Sequence, residues 1–198
     1  MNENENKSDG DMGGLLAVAA ERAVPVVAGL GDDVLARPTP CADYDVKALV
    51  NHLFQVIVQF QKLAAKGDSD FTATPDEVAA DPRWRERFAE EADALVAAWS
   101  APGALEGTSG SMRMPARTVA GMVLLDLTVH AWDLARATGQ EYEAEPRVVE
   151  ELAGTVAGLA PMARKTGVFG PPVPVGDGAP AFARLLAATG RDPEGGPA

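Results

Sequence analysis

The sequence of 198 residues has a single cysteine, Cys41, and two histidines. One cysteine excludes an internal disulfide and a cysteine-rich zinc site. Basic residues are also scarce, because 17 Lys and Arg stand against 29 Asp and Glu, which gives a net charge of −12. Nucleic acids and anionic membrane surfaces bind through Lys and Arg, so neither is an expected partner.

The sequence has no uninterrupted apolar run of the roughly 20 residues that a bilayer span requires. Its first residues, MNENENKSDGD, lack the basic and apolar regions of a signal peptide. We therefore expect a cytoplasmic protein. Residues 1–11 are predicted to form a disordered tail, residues 12–193 a single domain, and residues 194–198 a flexible C-terminus.

Apolar residues recur at helical spacing in five long segments, and no segment alternates convincingly as a strand does. The predicted helices cover residues 15–35 with a kink at Pro25, 46–66 with Asp45 as N-cap, 84–99, 115–138 with Gly139 ending the helix, and 146–165. A short helix over residues 180–188 follows. The pattern predicts an all-α protein, a bundle of four or five long helices in one domain.

The fourth predicted helix is apolar on nearly all sides, which is typical of a central and buried helix. At 100° per residue, Asp126, His130 and Asp133 lie within about 60° of one another on one face. A carboxylate buried there without a partner is strongly destabilising, so Asp126 requires a cation, a hydrogen-bond donor or a metal. His130, one turn further on, can share that partner.

The second predicted helix has the same feature, because His52 lies among apolar residues with Gln55 and Gln59 near the same face. Two interpretations stay open on spacing alone. In one, Asp126 and His130 form a hydrogen-bonded pair and His52 is an ordinary core histidine. In the other, these three side chains converge on a divalent metal across the bundle and leave a coordination position open for catalysis.

Two segments resemble the motifs of the mycothiol-dependent maleylpyruvate isomerase N-terminal family, a part of the DinB-like superfamily. They are residues 39–52, TPCADYDVKALVNH, and residues 125–140, LDLTVHAWDLARATGQ. Residues 185–193, LLAATGRDP, are similar to the ending of an actinobacterial, metal-binding branch. The resemblance covers roughly residues 13–193 and implies a DinB-like four-helix bundle, here with an additional short C-terminal helix.

The resemblance implies three metal ligands, His52, Asp126 and His130, the same residues that the spacing selects. The well-known isomerase has Glu where this chain has Asp126, and it has a separate C-terminal domain to which the match does not extend. The implied cofactor is a divalent metal, zinc in preference to nickel, manganese or iron. A low-molecular-weight thiol of the mycothiol type is the implied co-substrate.

Four further side chains are weaker candidates for supporting the ligands or binding substrate: Asp133, Arg113, Gln55 and Gln59. Asp133 is expected either to orient His130 or to pair with Arg136. Arg113, together with Arg117, is a candidate for holding a substrate carboxylate. Cys41 is interpreted mainly as a small packed residue.

These features predict a metal-dependent thiol S-transferase or isomerase that acts on a small electrophile. The alternative is a non-catalytic helical bundle that binds a metal or a small ligand. Two histidines and one carboxylate also describe the iron site of some oxygenases, although the helical fold makes that function less favoured. A homodimer is one assembly compatible with the sequence, and catalytic residues stay unassigned.

Overall fold

Seven α-helices account for most of residues 11–195, which are the residues that the computed structural model describes. The helices are Met12–Ala28 (α1), Val46–Ala64 (α2), Glu77–Ala80 (α3), Trp84–Ser100 (α4), Ala116–Thr138 (α5), Pro146–Lys165 (α6) and Ala181–Ala188 (α7). The strands Thr108–Ser109 (β1) and Met114–Pro115 (β2) pair as a small antiparallel hairpin. The all-α prediction is confirmed, although the sequence pattern indicated neither this hairpin nor the short helix α3.

Local signals explain the start of α2 and the end of α5. The Asp45 carboxylate accepts a hydrogen bond from the Ala48 amide at 2.8 Å, so the predicted N-cap of α2 is confirmed. At the end of α5, Gly139 adopts the left-handed conformation with φ 75°, also as predicted.

The prediction for the first helix, residues 15–35, starts three residues too late and ends seven residues too far along the chain. It begins at Met12, because Asp11 caps it by accepting from the Gly14 amide at 2.9 Å. It ends at Ala28, where Gly29 follows, and a separate 3-10 helix covers Asp32–Val34. Apart from Asp11, the predicted N-terminal tail lies outside the described residues, as do residues 196–198 of the predicted flexible C-terminus.

The bundle consists of α1, α2, α4 and α5, with α6 and α7 packed on its outside. α1 contacts α4 and α5, and α2 contacts the same two helices, while α6 lies against α5 and α7. One continuous apolar core fills the space between them and includes Phe54 of α2 and Phe88 of α4, whose rings meet edge to face. The architecture agrees with the DinB-like helical bundle that the sequence predicts.

α5 is the central helix, and its burial bears on the question of membranes. Within the described residues it is the one helix that is long and apolar enough to cross a bilayer, but 78% of its apolar window is buried inside the protein. The bundle core therefore accounts for its apolar character. The same position places the polar residues of α5 opposite those of α2.

Candidate metal centre

The three predicted metal ligands lie together where α2 faces α5. The potential ligand atoms of His52, Asp126 and His130 all lie within 4.8 Å of one another. The two imidazole rings are nearly perpendicular, with centroids 5.1 Å apart. Nε2 of His130 lies 3.7 Å from Oδ1 of Asp126, too far for the hydrogen-bonded pair of the first interpretation. The structure thus brings these three side chains together, and no hydrogen bond joins any two of them.

Asp133 holds the other side of the His130 ring. Its Oδ2 lies 2.9 Å from Nδ1 of His130, and Arg191 contacts both carboxylate oxygens, at 3.0 and 3.3 Å. Burial alone would raise the pKa of Asp133, but the hydrogen bond with His130 and the charge of Arg191 outweigh it and lower the pKa. An ionised Asp133 accepts a hydrogen bond from the Nδ1–H group of His130, so Nε2, which lies nearer Asp126, is the nitrogen that keeps its lone pair.

The alternative pairing of Asp133 with Arg136 is wrong. Arg136 is exposed, and its guanidinium donates to the carbonyl oxygens of Glu194 and Gly195 instead. Asp133, by contrast, is completely buried. Arg191 pairs with it from the segment that follows α7.

The backbone conformation at Gly190 explains how the Arg191 side chain reaches the buried Asp133. Gly190 has φ 92° and lies so close to Gly170 that a Cβ atom on Gly190 would be 2.7 Å from the Gly170 Cα. Only glycine fits this conformation and this crossing of two chain segments. Sequence reasoning noted the segment around Arg191 but assigned it no role, because nothing in its local pattern indicates burial.

Burial lowers the pKa of His52 to about 4, and the neighbouring His130 contributes in the same direction. The ring stacks on Tyr44 with centroids 5.1 Å apart. Within residues 11–195 it makes ring contacts but no hydrogen bond. His52 is therefore neutral near pH 7 and has a lone pair to offer. Tyr44, which the sequence analysis did not select, fixes the orientation of this ring.

Asp126 is less enclosed than its place on an apolar helix suggests. Its side chain is 31% exposed because it faces a cavity. The surrounding protein still raises the pKa of its carboxyl, against the opposing effects of His130 and Arg191. A cation beside Asp126 would relieve this penalty, because an opposite charge favours the ionised carboxylate.

The cavity next to the three side chains has a volume of about 440 Å³. Its polar wall includes Cys41, Asp43 and Thr189 beside the candidate ligands, and its apolar wall includes Val56, Phe60, Phe71, Met122, Val129 and Val168. The size is that of a small-molecule site. The candidate ligands therefore face a space that a small compound can enter.

A second group of potential ligands, Cys41, His130 and Asp133, also lies within 4.8 Å. Its donors are less suited to a metal. Burial raises the pKa of Cys41 to about 11, although Arg191 opposes the shift, so the thiol is protonated near pH 7. Nδ1 of His130 and the Asp133 carboxylate are already bonded to each other. The group of His52, Asp126 and His130 has the freer donor atoms.

Gln55 and Gln59 are used to hold the loop between α2 and α3 rather than to face the cavity. The Gln55 amide donates to the Ala73 carbonyl at 2.8 Å, and the Gln59 side chain accepts from the Asp70 amide at 2.8 Å. The loop fastened in this way carries Phe71 to the mouth of the cavity. Both glutamines thus contact the loop that carries Phe71, and neither lines the cavity.

The two arginines proposed to hold a substrate carboxylate lie elsewhere. Arg113 is exposed in the turn between β1 and β2 and is not part of the cavity lining. Arg117 lies on α5 with its guanidinium 3.1 Å from the Glu151 carboxylate. The structure does not bring either guanidinium together with His52, Asp126 and His130 in this cavity.

The fold and the cluster define a helical bundle with two histidines and a carboxylate gathered at one cavity. The family model for the mycothiol maleylpyruvate isomerase N-terminal domain matches residues 16–135. The chain therefore belongs to this family and is a mycothiol-related, DinB-like protein. His52, Asp126 and His130 all lie inside the matched region, and Arg191 lies outside it.

Two relatives from Mycobacterium tuberculosis are similar over a longer stretch. They are "Uncharacterized protein MT0763" of strain CDC 1551 / Oshkosh and "Uncharacterized protein Rv0738" of strain ATCC 25618 / H37Rv. Each is 32% identical over 157 residues, which is 75% of this chain and 80% of the relative. No solved structure matches the chain.

Proposed function

We propose that His52, Asp126 and His130 bind one divalent metal ion and that the protein uses it to join a low-molecular-weight thiol to a small electrophile. The observation that carries the proposal is the convergence of three uncommitted donor atoms within 4.8 Å beside a cavity. The family supports a thiol of the mycothiol type as the co-substrate. The reaction is accordingly an S-transfer or a thiol-assisted isomerisation.

The donor set fits such an ion. Two neutral imidazoles and one carboxylate suit zinc, which we place first, and also nickel, manganese and iron. Three protein ligands leave a position for an exogenous ligand, as catalytic zinc sites do. Asp133 would strengthen the site by holding Nδ1 of His130, and Tyr44 by holding the ring of His52.

When bound, the ion supplies the acidity that ionises a thiol near neutral pH. The residues of the chain then orient the sulfur and keep water away from it, through the apolar side chains of Phe60, Met122 and Val129. The thiol proton leaves to solvent through the cavity mouth. In a transfer, a sulfur–carbon bond forms and the leaving group departs with the electron pair of its broken bond.

In an isomerisation, the thiolate adds to a carbon–carbon double bond, the resulting single bond rotates, and the thiolate leaves again. Both reactions need a reduced thiol. The cytoplasm, which is the location that we expect for the protein, keeps such thiols reduced.

The first experiment measures the metal content of the untagged protein by elemental analysis. We expect about one equivalent of a divalent ion, in line with one three-ligand site, and its loss in His52→Ala, Asp126→Asn and His130→Ala. Val168→Ala is the control, because Val168 lines the same cavity but carries neither a charge nor a ligand atom. Absence of metal from the folded wild type after supplementation with zinc, nickel, manganese and iron would refute the site.

The second experiment tests the chemistry with the metal-loaded protein. Mycothiol and 1-chloro-2,4-dinitrobenzene are supplied together, and the loss of free thiol is followed with time. The proposal expects consumption that depends on metal and is lost in His130→Ala. Stoichiometric metal without thiol consumption over a panel of electrophiles would favour the alternative, a metal-binding bundle without turnover.

A further inference from the structure

We infer that the cavity selects an uncharged, apolar electrophile and discriminates against carboxylate substrates. The inference rests on the proposed function for the reaction, but its argument uses only the lining of the cavity. It bears on substrate class, because the isomerase named in the family description acts on an anion, maleylpyruvate.

The entrance of the cavity is apolar. Phe71 is 46% exposed and Val168 is 70% exposed, and both line the cavity. Exposed large apolar side chains number four in the described part of the chain, so half of them stand at this one opening. The rings of Phe71 and Phe60 lie 5.9 Å apart and continue the apolar surface inward. Apolar side chains gathered at a concave site are typical of a ligand-binding cleft.

Among the described residues that line this cavity, no Lys or Arg side chain is free to pair with an anionic substrate. Arg191 is the one Lys or Arg there, and it is 8% exposed. Its Nε and Nη2 contact Asp133, and its Nη1 contacts the Thr189 carbonyl oxygen at 3.4 Å. Its charge is therefore matched by that of Asp133 before any substrate arrives.

The remaining charges of the lining are negative. Asp43 and Asp126 contribute two carboxylates, which would balance the two positive charges of a bound divalent ion. A thiolate at the open position adds one further negative charge. A second anion in the same cavity would thus meet like charge without a compensating donor, which is costly where water is excluded.

The test measures binding of two unreactive compounds that differ in one charge, methyl 4-nitrobenzoate and 4-nitrobenzoate. Dissociation constants come from ligand-observed NMR on the full-length protein, both zinc-loaded and metal-free. We expect the neutral ester to bind at least about tenfold more tightly than the carboxylate in both forms, since like-charge juxtaposition is unfavourable. A wild type that binds the carboxylate as tightly as the ester, or that binds neither, overturns the inference.

Two variants make the test specific to the cavity mouth. Phe71→Arg places a cationic side chain at the cavity mouth, and the fold should tolerate it because Phe71 is partly exposed. The preference for the ester over the carboxylate should then fall or reverse. Met112→Arg is the matched control, since Met112 is 83% exposed and does not line the cavity. An equal effect of both variants would overturn the inference. Failure of this inference can be distinguished from failure of the proposed metal site. Elemental analysis tests the three proposed ligands, and its result does not depend on the ratio of the two dissociation constants.

Discussion

Arg191 and Asp133 form a buried ion pair although they are 58 residues apart in the sequence. Nη2 of the guanidinium lies 3.0 Å from Oδ2 of Asp133, and Nε lies 3.3 Å from Oδ1. The same Oδ2 accepts from Nδ1 of His130 at 2.9 Å. One charge pair thus fixes which nitrogen of His130 carries the proton and where the other nitrogen points.

Replacing Asp133 with Asn should weaken metal binding without removing a ligand. The amide has no charge to hold the proton on Nδ1 of His130, so Nε2 becomes a poorer and less oriented donor. Loss of such a supporting carboxylate typically lowers metal affinity by about 10–100-fold. The affinity for zinc would be measured by competition with a chromophoric chelator.

The control for this prediction separates orientation from stability. Asp133→Asn leaves the Arg191 charge buried without its partner, which should cost about 3–5 kcal/mol of unfolding free energy. Adding Arg191→Met removes that charge and should restore much of the stability in urea unfolding. The zinc affinity should stay low in the double variant. Recovery of affinity together with stability would show that Asp133 acts only through folding.

In the metal-free protein, the His52 side chain should remain neutral at pH values well below the usual pKa of histidine. Its pKa is lowered to about 4 by burial and by His130. As the pH falls, His52 is protonated in the unfolded chain at a higher pH than in the folded protein. The contribution of neutral His52 to stability is therefore present above about pH 6.5 and is lost as the pH falls toward 4. NMR titration of the imidazole Cε1 protons, assigned with His52→Asn, measures the pKa directly. A midpoint near 6.5 would contradict the buried environment of this ring.

Cys41 should react slowly with iodoacetamide in the native protein. Only the thiolate is alkylated, and burial raises the pKa of this thiol to about 11. At pH 8 the rate should be about 100-fold or more below that of an ordinary cysteine, and it should rise about tenfold per pH unit toward pH 11. The same protein in denaturant is the control and should react at the ordinary rate. Equal rates in the two states would be inconsistent with a buried thiol.

Gly190→Ala should destabilise the protein and disturb the position of Arg191. The new Cβ would lie 2.7 Å from the Gly170 Cα, and φ is 92°, so both the contact and the backbone conformation are unfavourable. The conformational part alone costs about 1–3 kcal/mol. Gly176→Ala, in the loop between α6 and α7 that also contains Gly170, is a matched control, because nothing lies within 4 Å of its Cβ position. Urea unfolding gives the free energy of unfolding of both variants. Equal values would contradict the close contact between Gly190 and Gly170.

The sequence was sufficient to predict those parts of the fold and candidate site that depend on local or periodic signals. The face shared by Asp126 and His130 follows from the 3.6-residue period, and the start of α2 follows from the capping chemistry of Asp45. Whether these donors bind a metal stays a prediction. Arg191 could not be predicted in the same way, because its contact with Asp133 arises only when distant segments pack together. Tyr44 is close to His52 in the sequence, but it lies before the start of α2, where no helical period indicates that it stacks on that ring.

The region matched by the family ends at residue 135, yet Gly190 and Arg191 complete the surroundings of His130 from beyond it. Two parts of the gene consequently encode different properties of one centre: an N-terminal part specifies the donor atoms, and a C-terminal part specifies how firmly they are held. Substitutions in the second part would change the affinity for the proposed metal ion while leaving the three proposed ligands in place. Relatives with the same three donor residues are therefore free to differ in reaction, and the segment after α7 is where such differences should be sought.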